Sequence, residues 1–139
     1  MANSTPIFVK NNRVEWNSAG GAIATANTAK DGTGTIQTVF TADATNGGYV
    51  QKLRVKAAGT NIATVLRVFI NNGSTNATAA NNILFEEVTL PATTLSENSS
   101  LPTIEVPLNV GLNAGYKITI TIGTTVAAGY YVSAVGGDY

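Results

Sequence analysis

The sequence predicts an all-β fold, an antiparallel two-sheet sandwich of the jelly-roll or Greek-key type. Seven short segments between residues 35 and 135 alternate apolar and polar side chains with a period of two, which is typical of half-buried strands. Turn-forming residues separate these segments, and no stretch shows the 3.6-residue period of a helix. An immunoglobulin-like sandwich satisfies the same observations, and the number of strands does not decide between the two folds.

The longest alternating stretch covers residues 49–73 and predicts a hairpin that organises the fold. Its first strand places Lys52, Arg54 and Lys56 on one face and apolar side chains on the other, namely Tyr49, Leu53, Val55 and Ala57. Residues 58–61 predict the turn. The return strand, residues 62–71, is apolar on both faces except at Arg67, which predicts a central strand in a covered sheet or a self-association surface.

The other predicted strands are residues 35–41, 83–90, 103–109, 116–122 and 130–135. Asn46-Gly47-Gly48 predicts a second hairpin, before Tyr49. Pro107 places its strand at a sheet edge or at a bulge, because proline cannot donate a hydrogen bond to a neighbouring strand. The two long connections, after Asn71 and Leu90, are predicted to cross between the sheets, whereas the short turns are predicted to join neighbouring strands.

Residues 1–34 differ in composition from the body, residues 35–139, and predict an extended N-terminal arm or edge strands laid over that body. Glycine, alanine, threonine and asparagine dominate this segment, so it buries little apolar surface to offset the entropy lost on ordering. Phe8 and Trp16 are its two large anchors. Whether they dock on their own subunit or on a neighbour is left open by their spacing.

The composition excludes several classes of function. The chain has 139 residues, enough for one domain, with 8 basic and 8 acidic side chains and no net charge, which argues against binding to nucleic acid or an anionic membrane. It contains no cysteine and no histidine, so disulfides, thiolate metal sites and histidine catalysis are excluded. Neither a signal peptide nor a membrane-spanning segment is indicated, which predicts a soluble protein.

No catalytic motif emerges from the remaining residues, so we expect neither an enzyme, a cofactor nor a metal. Glu86 and Glu87 are adjacent on a strand and leave it from opposite faces, so they cannot form a carboxylate pair in one cleft. One of them could pair with Arg67; the alternative is that these charges are solvated or lie at a subunit contact. The aromatic residues are compatible with sugar stacking or, more ordinarily, with strand packing, and they are Trp16, Tyr116, Tyr130 and Tyr131.

Two regions of the body resemble small virion proteins of tailed bacteriophages, the capsid decoration or cement type. The first is LRVKAAGTNIATVLRVFINNG, residues 53–73, and the second comprises TLPATTLSE and PLNVGLNAGYKITITIGTTVAAGYYVSAVGGDY, within residues 89–139. The resemblance implies a β-sandwich without catalytic residues, attached to the major capsid protein on the outer surface of the virion, frequently as a trimer. It does not extend to residues 1–34, so the mode of attachment is not implied.

From these observations we expect five residues at interfaces, namely Phe8, Trp16, Arg67, Tyr130 and Tyr131. The alternative function is a receptor- or carbohydrate-binding module of a head fibre or tail. That function predicts a concave aromatic patch at one end of the sandwich, whereas a cement protein predicts a flat contact surface.

Overall fold

A computed structural model describes residues 9–17 and 20–139, which form eight strands and one short 3₁₀ turn, Ala79–Asn81. The strands are β1 (Asn11–Trp16), β2 (Gln37–Thr41), β3 (Gly48–Ala57), β4 (Thr64–Asn71), β5 (Asn82–Leu90), β6 (Thr103–Leu112), β7 (Lys117–Ile122) and β8 (Tyr130–Asp138). Strands β2 to β8 coincide, within a few residues, with the seven segments that alternate in the sequence.

The strands form two four-stranded antiparallel sheets packed face to face. Sheet A has the order β1-β8-β3-β6, and sheet B has the order β2-β7-β4-β5. Eight strands that divide between two sheets in this order constitute a jelly roll. The predicted antiparallel sandwich is therefore confirmed, and its connectivity is that of the jelly roll rather than the immunoglobulin fold.

The predicted hairpin between β3 and β4 is wrong, because these strands belong to different sheets. Residues 58–63 carry the chain from sheet A to sheet B, and the buried amide of Asn61 holds this crossing in place. Its Nδ2 donates to the Gly129 carbonyl at 3.0 Å, and its Oδ1 accepts from the backbone N–H groups of Ala128 and Gly129 at 2.9 and 2.8 Å. Asn61, which was predicted to be a turn residue, therefore links the loop before β4 to the loop before β8.

Most of the other connections also differ from the prediction that short turns join neighbouring strands and long loops cross between the sheets. The short connections after β2, β6 and β7 cross between the sheets, whereas the long loop of residues 72–81 joins neighbours β4 and β5 within sheet B. Only the long connection after Leu90 crosses as predicted. In this jelly roll every pair of consecutive strands except β4 and β5 lies in opposite sheets, so the short turns span the edge of the sandwich instead of closing hairpins.

A bulge in β3 changes the predicted face of Tyr49. The pairing register of β3 shifts between Val50 and Lys52 against both of its neighbours. Val50 and Leu53 are both fully buried, so Gln51 is the extra residue and the alternation reverses there. Tyr49 consequently lies on the outer face, where its hydroxyl bonds Asn109 Oδ1 at 3.1 Å. Pro107, at the same irregularity, lies on the edge strand β6 as predicted.

The N-terminal segment is part of the sandwich in the residues that are described. β1 pairs with β8 along its whole length and forms one edge of sheet A. Ile23 is 4% exposed and belongs to the core, and its backbone exchanges two hydrogen bonds with Tyr130. Of the two alternatives predicted for residues 1–34, an extended arm or edge strands, Asn11–Trp16 is an edge strand.

Residues 27–36 cover the outer face of sheet B. The N–H of Asn27 donates to the carbonyl of Ile122 at the end of β7, while Asn76 Nδ2 donates to the carbonyl of Gly34 at the far end of the sheet. Between these anchors Thr119, Thr121 and Phe69 point away from the core and are at most 2% exposed. β4 is apolar on both faces because it is central and covered, so its sequence no longer argues for self-association.

Candidate binding surface

The outer face of sheet A is open in the described residues and carries two exposed aromatic rings. Trp16 is 67% and Tyr131 is 54% exposed. Trp16 lies opposite Ser133 in the register of β1 and β8, which makes it a diagonal neighbour of Tyr131 on one face. Val14, 54% exposed, lies on the same side of β1 and extends this apolar surface. Large exposed side chains grouped on one sheet face indicate an interaction surface.

A row of three basic side chains on β3 adjoins the aromatic residues. Lys56 lies opposite Tyr131 in the sheet register, and Arg54 and Lys52 follow along the strand. Lys52 Nζ bonds Glu105 Oε1 on β6 at 2.9 Å, and Arg54 Nε is 3.7 Å from the same oxygen. This hydrogen bond from Lys52, together with the positive charge of Lys52 and Arg54, holds the pKa of the Glu105 carboxyl below its usual range. One carboxylate against three bases leaves this part of the face cationic.

A shallow groove of about 590 Å³ continues this face toward the other end of the sheet. Gly136 of β8 is part of its lining, and a Cβ atom at Gly136 or Gly137 would collide with the backbone of the neighbouring strands β3 and β1, so these glycines allow the strands to approach closely. Its lining is largely apolar and includes Val9, Val14, Tyr49, Gln51 and Val135. Aromatic residues, a cationic row and a groove together form what we call the sheet A surface.

The five residues predicted at interfaces have different locations. Trp16 and Tyr131 lie on the sheet A surface, whereas Phe8 lies outside the described residues. Tyr130 is a correction: it is 1% exposed in the core, and burial raises the pKa of its phenol above 10.0. β8 alternates, so of two adjacent tyrosines one must face inward and the other outward.

Arg67 lies on the outer face of sheet B, remote from the aromatic residues. Its Nε is 3.4 Å from Glu87 Oε1, so the ion pair weighed from the sequence does form. The Arg67 side chain is only 11% exposed, while that of Glu87 is 49% exposed. Along β5, Glu86 lies opposite Val68 and Glu87 opposite Arg67 in the sheet register.

An ionic network that the sequence did not indicate closes the side of the sandwich next to the sheet A surface. Arg13 on β1 bonds Glu15 at 2.9 Å, Asp138 at 3.0 Å and the carbonyl of Thr41 at 2.6 Å. Its guanidinium also lies 4.7 Å from the centre of the Phe40 ring. These contacts join the edge of sheet A to the edge of sheet B, and thereby fix the strand that carries Trp16.

A second exposed apolar patch lies on the edge strand β5. Ile83, Leu84 and Phe85 are 62%, 40% and 42% exposed. β5 has a neighbour on only one side, and a bulge interrupts that pairing between Leu84 and Glu86. Apolar edge strands tend to pair with other chains, so this patch is a candidate contact between protein copies.

Two further observations bear on the chemistry of the described ranges, residues 9–17 and 20–139. These ranges contain no group of three or more acidic side chains arranged to hold a metal ion. None of their helical segments has the length and hydropathy needed to cross a bilayer. Comparison of the chain with known protein families, curated proteins and solved structures finds no match.

Proposed function

We propose that this chain is a non-enzymatic structural protein of a bacteriophage virion, a decoration or cement protein that binds the major capsid protein on the outside of the shell and stabilises it. The observation that carries the proposal is the sheet A surface, which presents Trp16 and Tyr131 beside three basic residues on a rigid sheet. Exposed aromatic and arginine residues on a preorganised surface are the usual centres of protein contacts.

The resemblance of residues 53–73 and 89–139 to small virion proteins supports the virion as the location. A jelly roll is also an architecture found in viral capsid proteins, although the fold alone does not specify a function. A cationic row favours an acidic patch on the capsid protein as the surface bound.

Assembly as a trimer is part of this proposal and comes from the resemblance. The exposed patch of Ile83, Leu84 and Phe85 on β5 supports contacts between copies, because it leaves apolar side chains and an unpaired strand edge in water. Tyr130 and Arg67 no longer support such a contact, since one is in the core and the other is nearly buried. Light scattering at micromolar concentration, and on the particle, tests the trimer.

Attachment to the shell is tested by substitution of the aromatic residues. We expect Trp16→Ala and Tyr131→Ala each to weaken binding to shells stripped of the protein by about 2 kcal/mol, roughly thirtyfold in Kd. Ile62→Ala and Leu95→Ala are matched controls, because these side chains are 59% and 56% exposed but lie in loops at the end of the sandwich. We expect both controls to bind as the unsubstituted protein does.

The same variants separate the cement function from receptor or carbohydrate binding. Shells reloaded with the unsubstituted protein should resist heating and osmotic shock better than shells reloaded with Trp16→Ala. Unchanged shell stability, combined with lost adsorption to host cells, would favour the receptor-binding alternative, in which the two exposed rings stack on sugars.

A further inference from the structure

The groove on the sheet A surface lies where the described part of the chain begins. Val9, the first described residue, belongs to its lining, together with Asn12 and Val14 of the edge strand β1 and with Val135 and Tyr49 farther across the sheet. All of these side chains are at least partly exposed, so the groove is accessible from solvent. Eight residues precede Val9, and the chain that carries them therefore starts from the groove itself.

A bend at Lys10 turns the chain away from the direction of β1. The N–H of Lys10 donates to the carbonyl of Asp138 at 2.8 Å, which continues the pairing of β1 with β8 by one residue. The chain changes direction there, and Val9 does not extend the strand but lies beside Asn12 and Val14 in the lining of the groove. The bend therefore places the start of the described chain over the outer face of sheet A rather than beyond the edge of the sandwich.

The residues before Val9 have the composition and the length that the groove requires. Pro6-Ile7-Phe8 is apolar and adjoins Val9 directly, whereas Asn3-Ser4-Thr5 is polar. From β1 across β8 to β3 the sheet measures about 10 Å, which is two strand spacings, and three extended residues reach about as far. The apolar stretch therefore matches the width of the groove, whose volume of about 590 Å³ admits more than one large side chain.

The charges of the lining also favour an uncharged occupant from the same chain. Arg13, a charged residue in the lining, already pairs with Glu15 at 2.9 Å and with Asp138 at 3.0 Å. Residues 1–8 carry no charged side chain, so their docking leaves these ion pairs intact. A segment joined directly to Val9 has a high effective concentration at the groove, which favours it over the same segment of another copy.

We propose that the groove is the binding site for residues 6–8 of the same subunit, with the ring of Phe8 packed against Val14 and Val135. This contact removes the ring and the exposed valine side chains from water, which is the driving force for docking. It fills the groove and leaves Trp16 and Tyr131 exposed on the rest of the sheet A surface. Restriction of the capsid contact to that aromatic and cationic part rests on the proposed function, whereas the docking of Phe8 does not depend on a capsid.

Nuclear Overhauser contacts in the full-length protein test this docking without any virion component. We expect contacts between the Phe8 ring and the methyl groups of Val14 and Val135, and upfield shifts of those methyl resonances that Phe8→Ala removes. Asn3→Ala, in the polar part of the segment, is the matched control and should leave the shifts unchanged. In a mixture of chains labelled only at phenylalanine with chains labelled only at valine, the contacts should vanish. Contacts in the mixture would place the segment on a neighbouring copy and overturn the proposal, as would their absence from both samples.

A thermodynamic cycle checks the same contact through stability. Phe8→Ala should lower the Tm of the full chain by roughly 2–5 °C, the shift expected when one partly buried ring is lost from a domain of this size. In a Val135→Asp background Phe8→Ala should no longer change the Tm, because a charge in the groove prevents the ring from docking. Thr103→Asp, on the outer face of β6 and outside the groove, is the matched background and should preserve the loss. An equal loss in both backgrounds contradicts the proposed contact, and the methyl contacts decide alone if Val135→Asp does not fold.

Discussion

The outer faces of the two sheets have similar strand patterns and opposite environments. On sheet B, Thr119 and Thr121 alternate with core isoleucines, yet they are 2% and 1% exposed because residues 27–36 lie over them. On sheet A, Trp16 and Tyr131 are more than half exposed, since no described segment covers that face. The polar threonine side chains of sheet B are therefore buried, whereas the large aromatic side chains of sheet A are exposed to solvent.

This difference shows which face is available to a partner. The covering segment buries the outward-facing threonines of sheet B within the chain itself. The sheet A surface has no such cover, although exposing tryptophan and tyrosine to water forgoes the stabilisation that their burial gives. The exposed aromatic pair beside bases is therefore the feature on which the proposed contact with the capsid protein rests.

The largest expected effect comes from removing the cover and the edge strand together. Deletion of residues 1–34 should prevent formation of the native fold, because it removes β1, the core residue Ile23 and the segment over Phe69. We expect the free energy lost by exposing these apolar side chains to exceed the roughly 5–15 kcal/mol by which a folded domain is usually stable. A cooperative melting curve like that of the full chain, recorded by circular dichroism, would show that the N-terminal segment is dispensable.

A matched pair of substitutions tests the comparison of the two faces directly. Phe69→Ala, on the covered face, should destabilise the protein by about 3–5 kcal/mol, as expected for a fully buried phenylalanine. Tyr131→Ala, on the open face, should change stability by less than about 0.5 kcal/mol. Denaturant unfolding of both variants measures the two values. Equal losses of stability would mean that the two outer faces do not differ in burial.

The smallest expected effect concerns the charge of the sheet A surface. The pKa of Glu105 is held below its ordinary 4.5 by Lys52, so its contribution to the pairing of β3 with β6 is present above pH 4.5 and is lost as the pH falls through the lowered pKa. An NMR titration of the carboxyl should show the lowered pKa, which should return toward 4.5 in Lys52→Gln. An unchanged pKa in Lys52→Gln contradicts this assignment.

Glu105→Gln also tests the proposed attachment to the capsid. It removes the only acidic partner that the described residues give to Lys52 and Arg54, so binding to stripped shells should become tighter and more dependent on salt. Glu97→Gln, which changes an exposed acid in the loop before β6, is the control and should bind unchanged.

The sequence by itself determined where the strands lie and which side of most of them faces inward. Leu53 and Val55 were assigned to the apolar face of their strand by alternation, and they are 0% and 1% exposed. This succeeds because a strand turns successive side chains to opposite faces, which is a property of the local backbone. The same rule failed at Tyr49, where a bulge adds one residue and reverses the faces.

Tertiary structure alone decided how the strands pair and which surfaces remain open. Residues 58–61 have the composition of a hairpin turn, yet the buried amide of Asn61 joins them to residues 128 and 129 and directs the chain to the other sheet. Tyr130 and Tyr131 are identical side chains at adjacent positions, and only their register against β3 makes one core and the other surface. Pairing and coverage depend on contacts between residues far apart in the chain, and local periodicity contains no information about such contacts.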